Sequence, residues 1–334
     1  MHVLVTGGAG FVGSHAVLAL TTAGHRVTVL DDLSQGHAAA VLPPARLVRG
    51  TLADARLVHA LFAAETFDAV MHFAARSLVG ESMREPMRYL HDNTACGTTL
   101  IDACLKHGVR KFVLSSTANL FGASSGAPID ESAPIDPGSP YGESKWILER
   151  ALLWAERTHG LRHACLRYFN AAGADPEGRL GEDHDPETHL IPLVIDAALG
   201  RRPPLTVFGD DYATPDGTCI RDYIHVTDLA DAHLRVLGLL DTRSVTFNLG
   251  NGTGYSVRQV IAAAEQVLGR NVPHTIGPRR PGDPAVLVAA SAAMRGATGW
   301  APAHPGLEAI VGNAAAWRIG NPQGYRGAAP VAAR

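Results

Sequence analysis

Short apolar runs alternate with longer stretches of helical period through the first half of the chain. The runs are 2–6, 26–30, 46–49, 68–73, 111–116 and 163–168, and the periodicity between them predicts helices near 12–23, 54–64, 86–107 and 141–158. Such alternation predicts an α/β fold, a doubly wound parallel sheet whose ligands sit beyond the carboxyl ends of its strands. Those ends carry Gly7, Asp31, Phe73-Ala74-Ala75, Ser115-Ser116-Thr117 and Tyr168-Phe169-Asn170. Past Asn170 the rhythm breaks. Residues 171–189, rich in Gly, Asp, Glu and Pro, read as a long loop. There follow a helix near 190–199, a short run Leu205 to Phe208, a loop at 209–219, a strand Arg221 to Val226, a helix near 228–240 and a strand Val245 to Leu249. A capping box, Ser256-Val257-Arg258-Gln259, opens a helix reaching about 268, and a last helix is predicted from about Gly306 to Ile319. The expected organisation is a first domain over 1–170, to whose sheet later segments return. A second, smaller α/β substrate domain covers 171–326, and 327–334 forms a loose tail.

The first strand end is the most informative. Val3-Leu4-Val5-Thr6 runs into Gly7-Gly8-Ala9-Gly10-Phe11-Val12-Gly13-Ser14, with Gly7, Gly10 and Gly13 at the spacing G-x-x-G-x-x-G. Glycine permits a tight turn and close backbone approach, and a helix start presents free N–H groups and a positive dipole end, so the turn suits a pyrophosphate. A glycine trio alone also serves merely to turn a chain. About twenty residues on, His25-Arg26-Val27-Thr28-Val29-Leu30-Asp31-Asp32 ends a second strand in acid, after an apolar helix and a C-cap at Gly24. An acid there accepts hydrogen bonds from an adenosine ribose and repels a 2′-phosphate, which makes the sheet Rossmann-like and favours NAD over NADP.

Tyr141-Gly142-Glu143-Ser144-Lys145 follows Pro140, which suits a helix start. On that helix Tyr141 and Lys145 are i and i+4 and share a face. An ammonium beside a phenol favours phenolate. Bringing a tyrosine from about 10 to about 7 takes roughly 4 kcal/mol of differential interaction, more than a solvated lysine supplies. A desolvated lysine together with a cationic nicotinamide ring meets the demand.

Composition narrows the partners. A formal charge of −3 with 18% charged residues gives no basic footprint for nucleic acid. Cys96, Cys104, Cys165 and Cys219 are scattered and form no C-x-x-C, which fits a reduced, cytoplasmic setting. The chain opens directly on a strand without a basic leader, and no apolar run is long enough to span a bilayer. Among 16 histidines the nearest metal candidate, His184-Asp185-Pro186-Glu187-Thr188-His189, lacks the H-E-x-x-H arrangement and contains a proline, so no metal is expected.

Gly7-x-x-Gly10-x-x-Gly13, Asp31, Tyr141-x-x-x-Lys145 and the hydroxyls of Ser115-Ser116-Thr117 together resemble the extended short-chain dehydrogenase/reductases. Longer strings narrow this. His72-Phe73-Ala74-Ala75, Val79-Gly80-Glu81-Ser82, Leu166-Arg167-Tyr168-Phe169-Asn170, Gly209-Asp210-Asp211-Tyr212 and Asp216-Gly217-Thr218 resemble the UDP-glucose 4-epimerase family. So do Arg221-Asp222-Tyr223-Ile224-His225-Val226, Pro278-Arg279-Arg280-Pro281-Gly282-Asp283 and Asn321-Pro322-Gln323-Gly324-Tyr325, and the likeness runs from residue 1 to about 325. It implies a retained NAD and exchange between UDP-glucose and UDP-galactose through a 4-keto sugar. Another UDP-sugar, such as UDP-N-acetylglucosamine, UDP-xylose or UDP-glucuronate, is the alternative. Tyr141 is then the base, Lys145 its modulator and Thr117, where the family more often has Ser, a hydroxyl relay.

The resemblance places NAD against Gly7, Gly10, Phe11, Val12, Gly13, Asp31, Asp32, Leu52, Phe73, Ala74, Ala75, Arg76, Asn93, Ser115, Ser116, Tyr141, Lys145 and Tyr168. It places the UDP-sugar against Thr117, Tyr141, Asn170, His189, Leu190, Phe208, Arg221, Arg280 and Asp283, the two arginines on the pyrophosphate and the acid on the uridine ribose. It also implies a homodimer through the helices near 86–107 and 141–158.

Several positions depart from the family pattern. Thr51 stands where an adenine-reading Asp is usual, Arg76 and Ser77 occupy the region of a displaced Lys, and Asp92 to Thr98 carries one extra residue around Asn93. Leu287 replaces a bulky Tyr beside the sugar, leaving room for an N-acetyl group. Ala118-Asn119 follow Thr117 where sugar 4,6-dehydratases carry Asp-Glu, which argues against water loss. A net dehydrogenase would exchange NAD freely, and a silent NAD-sensing regulator would tend to lose the Tyr–Lys pair that this chain keeps.

Overall fold

Apolar runs too short for a helix and flanked by turn residues pair as strands, and the amphipathic stretches between them cover the resulting sheet. The computed structural model describes residues 1–122, 127–280 and 283–327. In chain order the first elements are β1 (His2–Thr6), α1 (Phe11–Thr22), β2 (Arg26–Asp31), β3 (Arg46–Arg49), α2 (Ala55–Ala64), β4 (Ala69–His72), α3 (Val79–Arg84) and α4 (Pro86–Lys106). Next come β5 (Lys111–Thr117), α5 (Pro140–His159), β6 (Arg162–Tyr168), β7 (Asn170–Ala172), α6 (Leu190–Ala198), β8 (Leu205–Phe208), β9 (Ile220–His225) and α7 (Val226–Leu239). The chain continues through β10 (Val245–Leu249), β11 (Gly254–Ser256), α8 (Val257–Leu268), β12 (His274–Gly277), β13 (Val286–Leu287), α9 (Ala292–Thr298) and α10 (Leu307–Gly320).

Seven strands form one parallel sheet in the order β10-β6-β5-β4-β1-β2-β3. Its register sets Thr6 beside His72 and Thr117 beside Tyr168, so the ends named from sequence line up along one edge. β1 is buried at every position, as a central strand covered on both faces must be. One face packs against α1 and α7 around Val17, Leu20, Leu229 and Val236. The other packs against α2, α4 and α5 around Val58, Leu100, Leu148 and Leu152. A third core gathers Ile191, Val194, Val260, Ile310 and Val311 from α6, α8 and α10. Beside it β9 pairs with β11, β13 and β7, and β8 pairs with β12.

The principal strands and helices lie where the periodicity predicts them. Gly24, just past α1, adopts φ +81, and the capping box at Ser256 and Gln259 forms. The short elements α3, β7, β11, β12, β13 and α9 carry no signal in the sequence. They run from two to seven residues, too few to show a period, and their pairing is set by tertiary neighbours. Of the expected tail, residues 328–334 lie outside the described residues, as do Pro281 and Gly282 of the Pro278–Asp283 string.

Candidate active site

The glycine turn connects β1 to α1. Gly7 has φ +73, and a Cβ there would stand 2.4 Å from the Ala74 nitrogen; one on Gly13 would stand 2.1 Å from the Gly7 carbonyl. Both positions therefore need glycine for close packing of turn, strand and helix. Gly10 is the N-cap of α1 and offers no side-chain acceptor, so the first-turn N–H groups at Phe11, Val12 and Gly13 remain for an anionic ligand. Asp31 closes β2 with one carboxylate oxygen accepting the Ala9 N–H at 2.9 Å and the other the Leu33 N–H at 2.9 Å. Burial raises its pKa, against those two backbone bonds. Asp32 beside it is exposed and accepts the Ser34 N–H. The arrangement fits a dinucleotide: a bare helix start for the pyrophosphate and a fixed acid one strand away for the ribose. Leu52 is buried in the core below the sheet edge, and the Thr51 hydroxyl accepts the Ala53 N–H.

At the end of β4, Phe73 packs on the His233 ring, and Phe73 and Ala74 both donate backbone N–H groups to the Thr6 carbonyl. Ala75 leads to Arg76, whose backbone is gripped by Asn93: the Asn93 carbonyl oxygen accepts the Arg76 N–H at 2.8 Å, and its amide donates to the Arg76 carbonyl and to Ser144. Asn93 thus acts on the loop that carries Arg76. The Arg76 guanidinium itself is paired with Asp92 at 2.7 Å.

α5 begins with Ser139, whose hydroxyl accepts the Gly142 N–H, and with Pro140 in its first turn. This cap fixes Tyr141 in the first turn, where the phenol is buried near the Thr117 hydroxyl of β5, which itself accepts the Asn119 N–H at 3.1 Å. One turn on, Lys145 is buried and its Nζ donates to the Ser115 carbonyl at 2.8 Å. Ser115 shares a hydrogen bond of 2.6 Å with the Tyr168 hydroxyl on β6. Burial, reinforced by Tyr168, raises the Tyr141 pKa, and the Thr117 hydroxyl offsets part of that. Burial lowers Lys145 to about 8, against the pull of Glu149. The shared face predicted for Tyr141 and Lys145 exists, but the ammonium is spent on the β5 backbone and the protein alone does not lower the phenol.

Strand alternation separates the hydroxyls at the end of β5. Ser116 turns its hydroxyl away from Ser115 and Thr117 and donates to Glu149 at 2.6 Å, leaving only its backbone for the cofactor side. Glu149, not anticipated from sequence, also receives a two-pronged bond from Arg167 at 3.0 and 2.6 Å, with both side chains buried. Its signal was available, since Glu149 is i+4 from Lys145.

Facing this centre across the sheet edge, the Asn170 amide donates to the Asp222 carbonyl at 2.9 Å, and Arg221 pairs with Asp283 at 2.8 Å. Arg280 lies over the Phe208 ring, 4.1 Å from its centroid. Leu287 is the β13 partner of Arg221. Leu190 opens α6, and His189 precedes it with its Nδ1 on Glu182. In the loop before α6 the donor atoms of Glu182, His184, Glu187 and His189 lie within 4.8 Å of one another. Three of the four belong to the hexapeptide His184–His189, and Glu182 lies just before it in the same loop. Burial opposes the shift, but the two imidazoles hold Glu182 down to about 2, and Glu182 and Glu187 raise His184 to about 10.

The sequence matches the NAD dependent epimerase/dehydratase family over residues 3–250. It is 50% identical over 327 residues to the UDP-glucose 4-epimerase of Halalkalibacterium halodurans, covering 97% of this chain and 98% of that one. Among solved structures, it resembles a crystal structure of a UDP-glucose 4-epimerase with a TM-score of 0.95 at 44% identity, covering 97% of this chain and 99% of that one. It also resembles the UDP-glucose 4-epimerase of Bifidobacterium longum in complex with NAD+ and UDP, with a TM-score of 0.92 at 36% identity, over 97% and 100% of the two chains.

Proposed function

The chain belongs to the NAD dependent epimerase/dehydratase family, and from that premise we infer that it is an NAD-dependent isomerase interconverting UDP-glucose and UDP-galactose. The observation that carries the reading is the meeting of Tyr141, Thr117 and Lys145 at the end of β5, on the same sheet edge as the glycine turn. When bound, NAD supplies a reversible hydride sink for the sugar C4, so that the sugar passes through a 4-ketose.

Tyr141 takes the proton of the sugar 4-hydroxyl and later returns one, with the nearby Thr117 hydroxyl placed to share it. Lys145, dry and fixed on the Ser115 carbonyl, puts a positive charge beneath the site and favours the phenolate. Burial of Tyr141 excludes water and makes the unassisted phenol a poor base, which ties proton removal to the presence of a cationic ring. Gly7, Gly10, Gly13, Asp31, Phe73, Ala74 and Tyr168 are proposed to hold the dinucleotide. Arg221 and Arg280 are proposed to hold the substrate pyrophosphate, Asp283 the uridine ribose, Asn170 a phosphate or sugar oxygen, and Leu190 with Phe208 the uracil. We place the substrate lobe at 171–326.

Half-buried Leu287 beside Arg221 favours a second substrate class, UDP-N-acetylhexosamines. Met87, Ile147, Leu153 and Trp154 are exposed apolar residues on α4 and α5 and support a homodimer through those helices. Among the described residues no helix is long and apolar enough to cross a membrane, and four free cysteines support a cytoplasmic setting. Incubation of the purified protein with UDP-galactose, UDP-N-acetylgalactosamine and UDP-xylose, without added NAD, tests the reading by chromatography. Turnover of UDP-galactose to UDP-glucose is expected; turnover of none removes the proposal.

A further inference from the structure

We propose that Glu182, His184, Glu187 and His189 form a binding site for one divalent transition-metal ion, best suited to Zn2+, in the loop that leads into α6. Two imidazoles and two carboxylates are a common donor set for zinc, and the two negative charges match the ion. Four ligands at about 2.0–2.1 Å in a tetrahedron stand roughly 3.3 Å apart. His184 Nδ1 lies 3.3 Å from Glu182 Oε1 and 3.7 Å from Glu187 Oε1, and all four donors fall within 4.8 Å. Both histidines aim the same ring nitrogen, Nδ1, at the same carboxylate oxygen of Glu182, and their rings meet edge to face at 5.1 Å.

A second observation is independent of this convergence. Glu187 is largely buried, with side-chain exposure of 11%, and its Oε2 has no hydrogen-bond partner. The Arg318 guanidinium stands 3.8 Å from it, beyond hydrogen-bond reach and committed to Asp196 and the Glu182 carbonyl. The other oxygen, Oε1, accepts the Thr188 and His189 N–H groups, which fixes the carboxylate plane. The oxygen facing His184 is Oε1, at 3.7 Å, so Glu187 reaches the cluster with a carboxylate whose plane the backbone has already set. The ion would fasten the loop at the N-terminus of α6, alongside Phe11, whose ring meets His184 at 6.3 Å.

The experiment measures metal, not turnover. The holoenzyme is stripped with EDTA, dialysed against chelator-buffered Zn2+ and assayed by mass spectrometry for zinc per chain, and the coordination shell is read by X-ray absorption. One zinc per chain with two imidazoles in its shell is expected. His184→Asn combined with Glu187→Gln should lower occupancy at least tenfold, and Glu187→Gln alone should weaken it. A control altering His59 and His107, a histidine pair on the far surface, should keep full occupancy. Circular dichroism and bound-NAD absorbance certify that each variant is folded. No zinc uptake by the wild type, or equal uptake by the folded double variant, overturns the site and leaves imidazolium–carboxylate ion pairs only. A zinc-loaded protein inactive on UDP-sugars would refute the enzymatic reading and leave the metal site standing.

Discussion

Tyr141 and Lys145 sit one helical turn apart, yet their polar atoms have different partners: the phenol meets Thr117 and the ammonium meets the Ser115 carbonyl. Removing the phenolic oxygen should therefore remove proton transfer without disturbing the cofactor cradle. Tyr141→Phe is expected to lower turnover by about 10²- to 10⁴-fold while the purified protein keeps its bound NAD absorbance. Near-normal turnover would withdraw the role. Residue types and spacing made this pair legible in the sequence. Burial of the phenol was not, because it depends on which side chains of distant strands close over it. Ser116 shows what residue spacing leaves out: period-two geometry sends its hydroxyl away from those of Ser115 and Thr117, to the Glu149–Arg167 pair behind.

The helix that carries both groups owes its start to Ser139, since Pro140 has no N–H and the Gly142 N–H needs an acceptor. Ser139→Ala should cost about 1 kcal/mol of unfolding free energy, read from the urea midpoint, and should reduce turnover through displacement of Tyr141. An unchanged midpoint would show the cap to be idle. Elements of this length were legible because caps and 3.6-residue periodicity are local. The strands β11, β12 and β13 were illegible because they exist only through their partners: Leu287 is a strand residue by virtue of lying beside Arg221. The grouping of Glu182 with His184, Glu187 and His189 was not legible in the sequence for a related reason, since Glu182 lies outside the His184–His189 hexapeptide and joins it only through the loop's fold.

At the scale of the molecule, acid should act through histidines that folding keeps neutral. Burial lowers His72 and His225 to about 3 and His233 to about 4, from an ordinary 6.5. The unfolded chain binds protons at these sites first, so stability present above pH 6.5 is lost as pH falls towards 4, by about 1.4 kcal/mol per pH unit for each. Thermal melts between pH 7 and 4.5 should drop steeply. A flat profile across that window would contradict neutral burial. The apolar surface of α5 carries the remaining expectation: Trp154→Glu should shift the sedimenting species from dimer to monomer, and an unaltered dimer would place the interface elsewhere. The parallel sheet was legible from the alternation of short and long segments, whereas strand order was not, because no local signal says that β10 lies beside β6. That placement has a consequence during synthesis. A ribosome that has released the first 170 residues has delivered an α/β layer whose flank at β6 is still bare, with Leu166 and Tyr168 awaiting Phe247 and Leu249. The nascent polypeptide must remain exposed along that margin while residues 171–244 are translated, so a chaperone holding the growing chain should be needed longest there.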